Sequence, residues 1–271
     1  MHPGLTELLR DQASALGLRP PARTPLRPVR RGLPGDWSSP LAHALATPER
    51  GAEDIARALA VGLAQQPDLV AVRAEAGTLV LTLSTTALAA GARQLLEHRP
   101  SVAAGAESSR RSPQRPPDDR RPEDPWPAEL EPVALAHARC RNVTRAARAH
   151  GVRSVPGEQL ETALTAVVEQ EPTRDLLVHL GAFAPARPVS TAQHPPGAVA
   201  EAPAVRDPGT SVLLRDLAEC YQDFYARTRT APRGTEPVTS THRTHLTLTE
   251  ATAVALAAGL SALGLPAPEH L

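Results

Sequence analysis

The chain has 271 residues with 29 basic and 29 acidic side chains, so its formal net charge is zero, and because it contains no lysine, all 29 basic side chains are arginines. Chemistry that needs a lysine, such as a phosphate-binding P-loop lysine or a Schiff base, is therefore excluded. Two cysteines, Cys140 and Cys220, are too few for a disulfide framework or a cysteine-rich zinc site. The length suits one large domain or two small ones.

Targeting signals are not expected in this sequence. Arg10 and Asp11 interrupt the leucine run near the start, which leaves no apolar core of signal-peptide length. No other stretch approaches the roughly 20 apolar residues that span a bilayer. We therefore predict a cytoplasmic protein with no membrane partner.

The first part of the chain carries helical and strand patterns. Apolar residues recur at helical spacing over 5–18 and again over 51–68. Over 69–84, two runs of apolar residues flank Glu75-Ala76-Gly77, which is the pattern of a β-hairpin. Helices combined with a small sheet predict a compact α+β domain, which we place at residues 1–97.

A polar segment follows this domain. Residues 98–125 mix proline, serine, arginine and aspartate with almost no apolar side chains, so the segment cannot bury enough surface to offset its ordering entropy. This composition predicts a disordered linker. Two further proline-rich stretches, 185–209 and 230–243, lie between helical patterns and are predicted to be loops inside one domain.

After the linker the pattern is helical throughout, which predicts an all-α bundle over residues 126–271 and a chain that is mainly helical. The predicted helices cover 133–150, 157–171, 172–183, 211–228 and 247–263. The last of them is predicted to begin at a capping box of Thr247 and Glu250 and to end before Gly264.

Three segments of the second half resemble the DALR anticodon-binding domain of arginyl-tRNA synthetases, in the order found in that family. They are Ala136-His137-Ala138-Arg139, the stretch 213–229 with its three aromatic residues, and the ending 245–271. The ending is the most specific, with Gly259-Leu260, Leu263-Gly264 and Ala267-Pro268-Glu269. The resemblance implies a helical domain that binds the anticodon stem-loop of tRNA.

The first half is similar to the small N-terminal domain of the same enzymes. The similarity is carried by Gly35, Asp36 and Trp37. In the enzymes, a class I catalytic domain with HIGH and KMSK-type motifs lies between the two parts, and here the predicted linker stands in its place. The resemblance therefore implies no catalytic residue, no cofactor and no aminoacylation by this chain alone.

The predicted helix 133–150 carries a cationic stripe, which we define as Arg141, Arg145 and Arg148. Their i, i+4, i+7 spacing places them on one helix face. Guanidinium groups pair well with phosphate oxygens, so the resemblance implies contacts to the anticodon stem. The alternative is a solvated helix face. The RNA-binding residues implied together are His137, Arg139, Arg141, Arg145, Arg148, Tyr225, Arg227 and Arg229.

The aromatic residues Tyr221, Phe224 and Tyr225 lie one helical turn apart. Such rings stack on the bases of a single-stranded loop, or they fill the core of a bundle. We predict that Tyr221 and Phe224 are core residues. We predict that Tyr225, close to Arg227 and Arg229, is partly exposed.

Four positions depart from the pattern of the family. Thr78 and Val80 stand where the base-reading strand has an aromatic residue and an asparagine, so recognition of the tRNA D-loop in the family manner is not expected. Ala134 and Leu135 stand where glutamine and tyrosine are frequent, which predicts the loss of some anticodon contacts.

Three functional hypotheses follow. The first is a non-catalytic tRNA-binding protein, and the second is a tRNA-binding subunit that acts with a separate catalytic chain, such as a full-length aminoacyl-tRNA synthetase. The third is a protein-interaction module that has lost RNA binding. No metal is predicted, because the histidines lack the spacing of metal ligands and the cysteines are expected to be buried.

Overall fold

The computed structural model describes residues 3–29, 33–97, 127–184 and 208–269. The helices are α1 (Pro3–Ala15), α2 (Leu41–Leu45), α3 (Ala52–Leu63), α4 (Thr85–Glu97), α5 (Glu131–Ala149), α6 (Leu160–Thr165), α7 (Glu171–Gly181), α8 (Pro208–Arg227) and α9 (Ser240–Ala262). The strands are β1 (Arg27–Pro28), β2 (Trp37–Ser39), β3 (Leu69–Glu75) and β4 (Thr78–Leu83). The predicted fold class, a small α+β region followed by a helical C-terminal domain, is confirmed. The predicted linker at 98–125 lies outside the described residues.

The four strands form one antiparallel sheet in the order β1-β2-β4-β3. The predicted hairpin is confirmed: Glu75 pairs with Thr78 across a two-residue turn of Ala76 and Gly77. Both turn residues have positive φ, 46° and 77°, as the type I′ turn that suits strand twist requires. Leu79, Leu81 and Leu83 alternate along β4 and are buried.

One face of the sheet is covered by helices whose apolar residues repeat at helical spacing. Ile55, Leu59 and Leu63 on α3 are fully buried and belong to the same core cluster as the β4 leucines. Trp37 on β2 is also fully buried there. The predicted amphipathic helices at 5–18 and 51–68 correspond to α1 and α3.

Helix α4 was not among the predicted elements, yet it joins the two halves of the chain. It follows β4 directly and packs against α6, α7 and α9 of the C-terminal bundle. At the crossing with α7, a Cβ on Gly91 would lie 3.2 Å from the Cα of Gly181, so the two backbones are nearly in contact. Buried residues from 5–95 and 130–260 consequently form one hydrophobic cluster.

Polar contacts reinforce this junction. Both carboxylate oxygens of Asp36 accept hydrogen bonds from the Arg174 guanidinium on α7, each at 2.8 Å. The same carboxylate accepts the backbone N–H of Leu83 at 2.6 Å, and Arg174 donates to the Leu83 carbonyl at 2.9 Å. Nearby, the Thr86 hydroxyl donates to Glu161 at 2.5 Å. The predicted limits of the two domains remain a prediction, and α4 is the element through which they meet.

Two of the five predicted bundle helices differ from the structure. The last helix begins at Ser240 rather than Thr247, because Thr239 caps it in a reciprocal pair with His242. Thr247 lies inside the helix, where its hydroxyl donates to the carbonyl of Arg243 at 2.8 Å. The other three helices agree with the prediction to within a few residues at each end.

The second predicted helix, 157–171, is wrong in length. Its observed counterpart is a 3₁₀ turn, Gly157–Gln159, continued by α6, which ends at Thr165. The backbone of Gln170 is extended, with ψ of 121°, so a new helix begins at Glu171. Pro172 lies in the first turn of that helix, where its missing N–H costs nothing. Across the described ranges, none of the helices is both long and apolar enough to cross a bilayer.

Candidate functional site

The cationic stripe lies on helix α5, and each of its arginines has a polar partner. Arg141 Nε lies 3.0 Å from Glu269 Oε2, and Arg148 Nη2 lies 2.8 Å from Glu250 Oε1. Arg145 Nη1 donates to Asn142 Oδ1 at 2.9 Å. Two guanidinium groups are therefore in ion pairs, whereas exposed Arg145 is bonded to a neutral amide and keeps its net positive charge at the surface.

A cavity of about 240 Å³ adjoins the stripe. Arg141, Thr144 and Arg148 of α5 form one wall, and Glu250 of α9 faces them. The third wall comes from Ala267 and Glu269, which belong to residues 264–269, a segment that we call the tail. The cavity thus combines two guanidinium groups with two carboxylates, and it is open at one side of the bundle.

His137 lies beneath the tail, with 4% of its surface exposed. Its Nδ1–H donates to the carbonyl oxygen of Pro268 at 2.7 Å. Burial lowers the pKa of His137 and outweighs the opposing effect of this hydrogen bond. The imidazole is therefore neutral near pH 7. It holds the tail through this hydrogen bond and is not an exposed cation on the face of α5.

The three aromatic residues of α8 occupy the positions expected from their spacing. Tyr221 and Phe224 are fully buried in the core, which confirms that prediction. Phe224 meets His245 of α9 edge to face, with ring centroids 5.3 Å apart. Tyr225 is 45% exposed, as predicted.

Tyr225 is paired with a guanidinium group. Arg139 of α5 lies with its Cζ 5.0 Å from the centroid of the Tyr225 ring, in a cation–π contact. The same guanidinium donates to the side-chain oxygen of Gln222. The ring is thus fixed in orientation while part of its face remains open to solvent.

A larger cavity, about 420 Å³, opens beside this ring, and we call it the Tyr225 cup. It is lined mainly by residues 224–231 with Arg233. Arg227 pairs with Asp223 at 3.0 Å and lies 3.6 Å from Glu171, and Arg229 lies 3.5 Å from Glu236. The cup therefore offers guanidinium groups around an exposed aromatic ring.

The stripe and the cup are separate surfaces. The two cavities share no lining residue, and Arg139 projects from α5 on the side away from Arg141 and Arg148, as the helical period requires. The structure therefore divides the eight predicted site residues between two patches on either side of α5. Sequence spacing placed Arg141, Arg145 and Arg148 on one face of the predicted helix 133–150, but it did not show that Arg139 meets Tyr225 of another helix.

The carboxylate partners of the stripe were missed in the sequence. Glu250 was assigned to a capping box, but its carboxylate accepts hydrogen bonds from Arg148 and from the Ser154 hydroxyl, the latter at 2.7 Å. One signal was available: Glu250 is the single acidic residue in the sequence of α9. Glu269 reaches Arg141 because the chain turns at Gly264, and sequence spacing does not reveal this contact.

The positions that depart from the family pattern lie in ordinary structural surroundings. Thr78 and Val80 alternate with the buried leucines of β4, and Val80 lies against Gly35. Ala134 is buried in the bundle, whereas Leu135 is 43% exposed. None of these side chains supplies a ring or an amide to a nucleic acid.

The cysteines are buried, as predicted. Burial raises the pKa of the Cys140 thiol, which therefore stays protonated and unreactive. Within the described ranges, no group of three histidine, cysteine or acidic side chains is arranged to hold a metal ion.

The described C-terminal part of the chain is a helical bundle that carries arginines and an exposed, guanidinium-stacked ring. Comparison with known proteins identifies the family of this bundle. A protein-family model described as the DALR anticodon binding domain matches residues 133–271, which is half of the chain. The chain belongs to this family, as its resemblance to the family predicts.

Curated proteins with similar sequences are arginine–tRNA ligases. The arginine–tRNA ligase of Pseudarthrobacter chlorophenolicus is 36% identical over 141 residues, which are 51% of this chain and 23% of that protein. The arginine–tRNA ligase of Kineococcus radiotolerans is 37% identical over 140 residues, or 51% and 22%. That of Micrococcus luteus is 36% identical over 145 residues, or 51% and 23%. No solved structure matches the chain significantly.

The chain spans less than a quarter of the length of these relatives. The alignment falls on the C-terminal part of the chain, where the matched region is the anticodon-binding domain. The chain is thus related to arginyl-tRNA synthetases through that domain. The similarity of residues 1–97 to the N-terminal domain of those enzymes remains a prediction.

Proposed function

We propose that this chain is a non-catalytic tRNA-binding protein of the arginyl-tRNA synthetase type and that it binds the anticodon stem-loop. One observation carries the proposal: Tyr225 is exposed, Arg139 is stacked on it, and the tyrosine borders a cavity of about 420 Å³. Membership of the anticodon-binding family supports the same conclusion.

The chemistry of the cup suits a single-stranded loop. An unstacked base gains on the order of 1 to 3 kcal/mol by stacking on an aromatic side chain. Guanidinium groups beside such a ring pair with the phosphates that flank the base. We propose Arg227 and Arg229 for that role, because both line the cup next to Tyr225.

The cationic stripe suits the sugar–phosphate backbone of the stem. Its Arg141–Glu269 pair is partly exposed, and exposed pairs contribute only about 0 to 1 kcal/mol. A phosphate oxygen can therefore replace the Glu269 carboxylate at Arg141 at little cost. Arg145, which is bonded to a neutral amide, is available without any exchange.

The proposed role does not include catalysis. Adenylate formation by the relatives' class of enzyme requires a nucleotide-binding catalytic domain, and the sequence has no lysine for the signature loop of such a domain. We expect no arginine-dependent exchange of pyrophosphate into ATP by the purified chain. Exchange above that of a heat-inactivated sample would reject this part of the proposal.

The test of RNA binding is the salt dependence of affinity for tRNA. Each phosphate contact releases condensed counterions, so log affinity falls with log salt by roughly 0.7 per contact for single strands and roughly 0.9 for a duplex. The triple variant Arg141→Gln, Arg145→Gln, Arg148→Gln should lower that slope by about 2 to 3. Its circular dichroism should remain unchanged, because glutamine is a good helix former.

A matched control removes the same charge elsewhere. Arg57, Arg73 and Arg93 of the first half each lie beside a carboxylate, with 43 to 69% of each arginine side chain exposed. Changing all three to glutamine should leave the salt slope close to that of the wild type. If both triple variants lower the salt slope equally, the positive charge of the whole surface binds the RNA and the stripe has no special part in it.

A protein-interaction module is the second candidate, and one observation favours it. Glu269 and Glu250 already compensate two of the three stripe arginines, which reduces the charge available to RNA. If the wild-type chain shows no salt-dependent affinity for any tRNA at low salt, this second candidate replaces the first. Co-purification with a full-length synthetase then becomes the experiment that identifies the partner class.

A further inference from the structure

The tail is turned back onto helix α5 by a defined helix ending. Gly264 has φ of +74°, and the N–H of Leu265 bonds to the carbonyl of Leu260 at 2.9 Å. This is a helix C-terminus closed by a glycine in the left-handed region. Beyond it, Ala267 packs against the core and the Pro268 carbonyl accepts the hydrogen bond from His137.

The turn delivers Glu269 to the stripe. Its Oε2 lies 3.0 Å from Arg141 Nε, which is a charge-assisted hydrogen bond of the kind that a phosphate oxygen makes with a guanidinium group. We infer that the tail is an autoinhibitory strap, in which the Glu269 carboxylate competes with RNA phosphate for Arg141. This inference rests on the proposed function, because it concerns access to the same stripe.

The two carboxylates at the stripe differ in how firmly they are held. The Glu250 side chain is 12% exposed and also accepts from Ser154, so Arg148 and its partner form a fixed unit. The Glu269 side chain is 55% exposed. An exposed single pair is held weakly. Glu269 is accordingly the partner that an incoming phosphate displaces.

Displacement does not require the whole tail to leave. The His137 hydrogen bond and the packing of Ala267 hold the tail one and two residues before Glu269. The cavity of about 240 Å³ beside Arg141 and Arg148 provides space next to the displaced carboxylate. Opening of the strap is then a local movement of one side chain.

The experiment compares Glu269→Gln with Glu158→Gln in tRNA binding by the full chain at fixed salt. Glu158 is an exposed carboxylate of the same half that lies outside the stripe and its cavity. We expect Glu269→Gln to tighten binding about two- to fivefold, which is the range for an exposed ion pair, and Glu158→Gln to change it less. The gain in affinity should vanish when Arg141→Gln is already present, because Glu269 and the RNA phosphate then have no Arg141 guanidinium for which to compete.

The outcomes separate the two proposals. If wild type binds tRNA and Glu269→Gln binds no more tightly than Glu158→Gln, the strap is rejected while the proposed function stands. A gain that persists with Arg141→Gln also rejects the strap, since it then reflects only net charge. If neither wild type nor Glu269→Gln binds tRNA, the proposed function fails and the competition fails with it.

Discussion

Asp36 and Arg174, which are 138 positions apart in sequence, share two parallel hydrogen bonds of 2.8 Å. The pair joins the loop before β2 to helix α7, so it connects the first half of the chain to the bundle. Only 3% of the Asp36 side chain and 25% of the Arg174 side chain is exposed. The geometry is the forked pairing that gives arginine–carboxylate contacts their directionality.

Replacing Asp36 with asparagine should destabilise the whole chain. The change leaves the Arg174 guanidinium largely buried without its counter-ion, and breaking a buried pair in this way costs about 3 to 5 kcal/mol. In one of its two orientations, the asparagine amide also turns its NH₂ group, a donor, towards the Leu83 N–H, which the Asp36 carboxylate accepts in the wild type. Urea unfolding should show a lower midpoint with an unchanged slope.

An exposed pair in the same half provides the control for that measurement. Asp54 and Arg57 lie 2.8 Å apart on α3 with more than half of each side chain exposed. Asp54→Asn should change stability by less than about 0.5 kcal/mol. Equal effects at Asp36 and Asp54 would contradict the assignment of Asp36 to the junction.

Gly91→Val should loosen the same junction from its apolar side. The new side chain would meet the backbone of Gly181, which cannot rotate away as a side chain does. Overpacking of this kind costs about 1 to 3 kcal/mol. Thermal unfolding should show the loss as a lower midpoint.

Gly62→Ala is the matched comparison for Gly91. The added methyl group would meet only the end of the Gln12 side chain, which is free to move. Alanine is the better helix former by about 1 kcal/mol. This variant should be as stable as wild type or slightly more stable. If Gly62→Ala and Gly91→Val lose the same stability, the close contact between Gly91 and Gly181 is not the cause of the loss.

Stability should fall when the solution is acidified through the histidine range. Burial lowers the pKa of His137 and of His245 below the ordinary value of 6.5. The unfolded chain then binds more protons than the folded chain near pH 6.5, so the free energy of unfolding decreases as pH falls from 6.5 towards the folded-state values. Thermal melts between pH 7.5 and 5.5 measure this directly.

A substitution at His245 assigns part of that pH dependence. Its Nδ1–H donates to the Arg229 carbonyl at 3.0 Å, a bond that an asparagine amide can imitate. His245→Asn should therefore flatten the decrease in stability on acidification. A slope identical to wild type in His245→Asn would contradict the assignment.

Tyr225 should contribute to RNA binding through its ring and not its hydroxyl. Tyr225→Ala should weaken tRNA binding by about 1 to 3 kcal/mol, the range for one base stacked on an aromatic side chain. Tyr225→Phe keeps the ring and should bind within a factor of a few of wild type. If both variants bind weakly, the contribution comes from the hydroxyl group. If both bind tightly, no base of the RNA stacks on Tyr225.

Local patterns in the sequence predicted most of the fold. The hairpin was recognisable because Ala76 and Gly77 separate two apolar runs, and the long helices because leucines recur at helical spacing. The start of α9 was misplaced because its capping partner is His242, where a glutamate or glutamine is the usual signal. Helix α4 was not predicted, although its buried residues Leu88, Ala92 and Leu95 recur at helical spacing.

The candidate site was predicted less completely. Its residues were identified from their spacing and from the family resemblance, and Tyr221 and Phe224 are buried as predicted. The separation of the stripe from the cup, and the partners Glu250 and Glu269, depend on how α9 and the tail cross α5. Such long-range contacts leave no local pattern in a single sequence.

Helix α4 determines which pieces of this protein can be studied in isolation. A fragment that starts at residue 127 would lack α4 and would expose the apolar surfaces of α6, α7 and α9 to water. Contiguous exposed surface of that kind promotes self-association. Fragments for RNA-binding work should therefore supply residues 85–97, either in the same chain or as an added peptide that restores this packing.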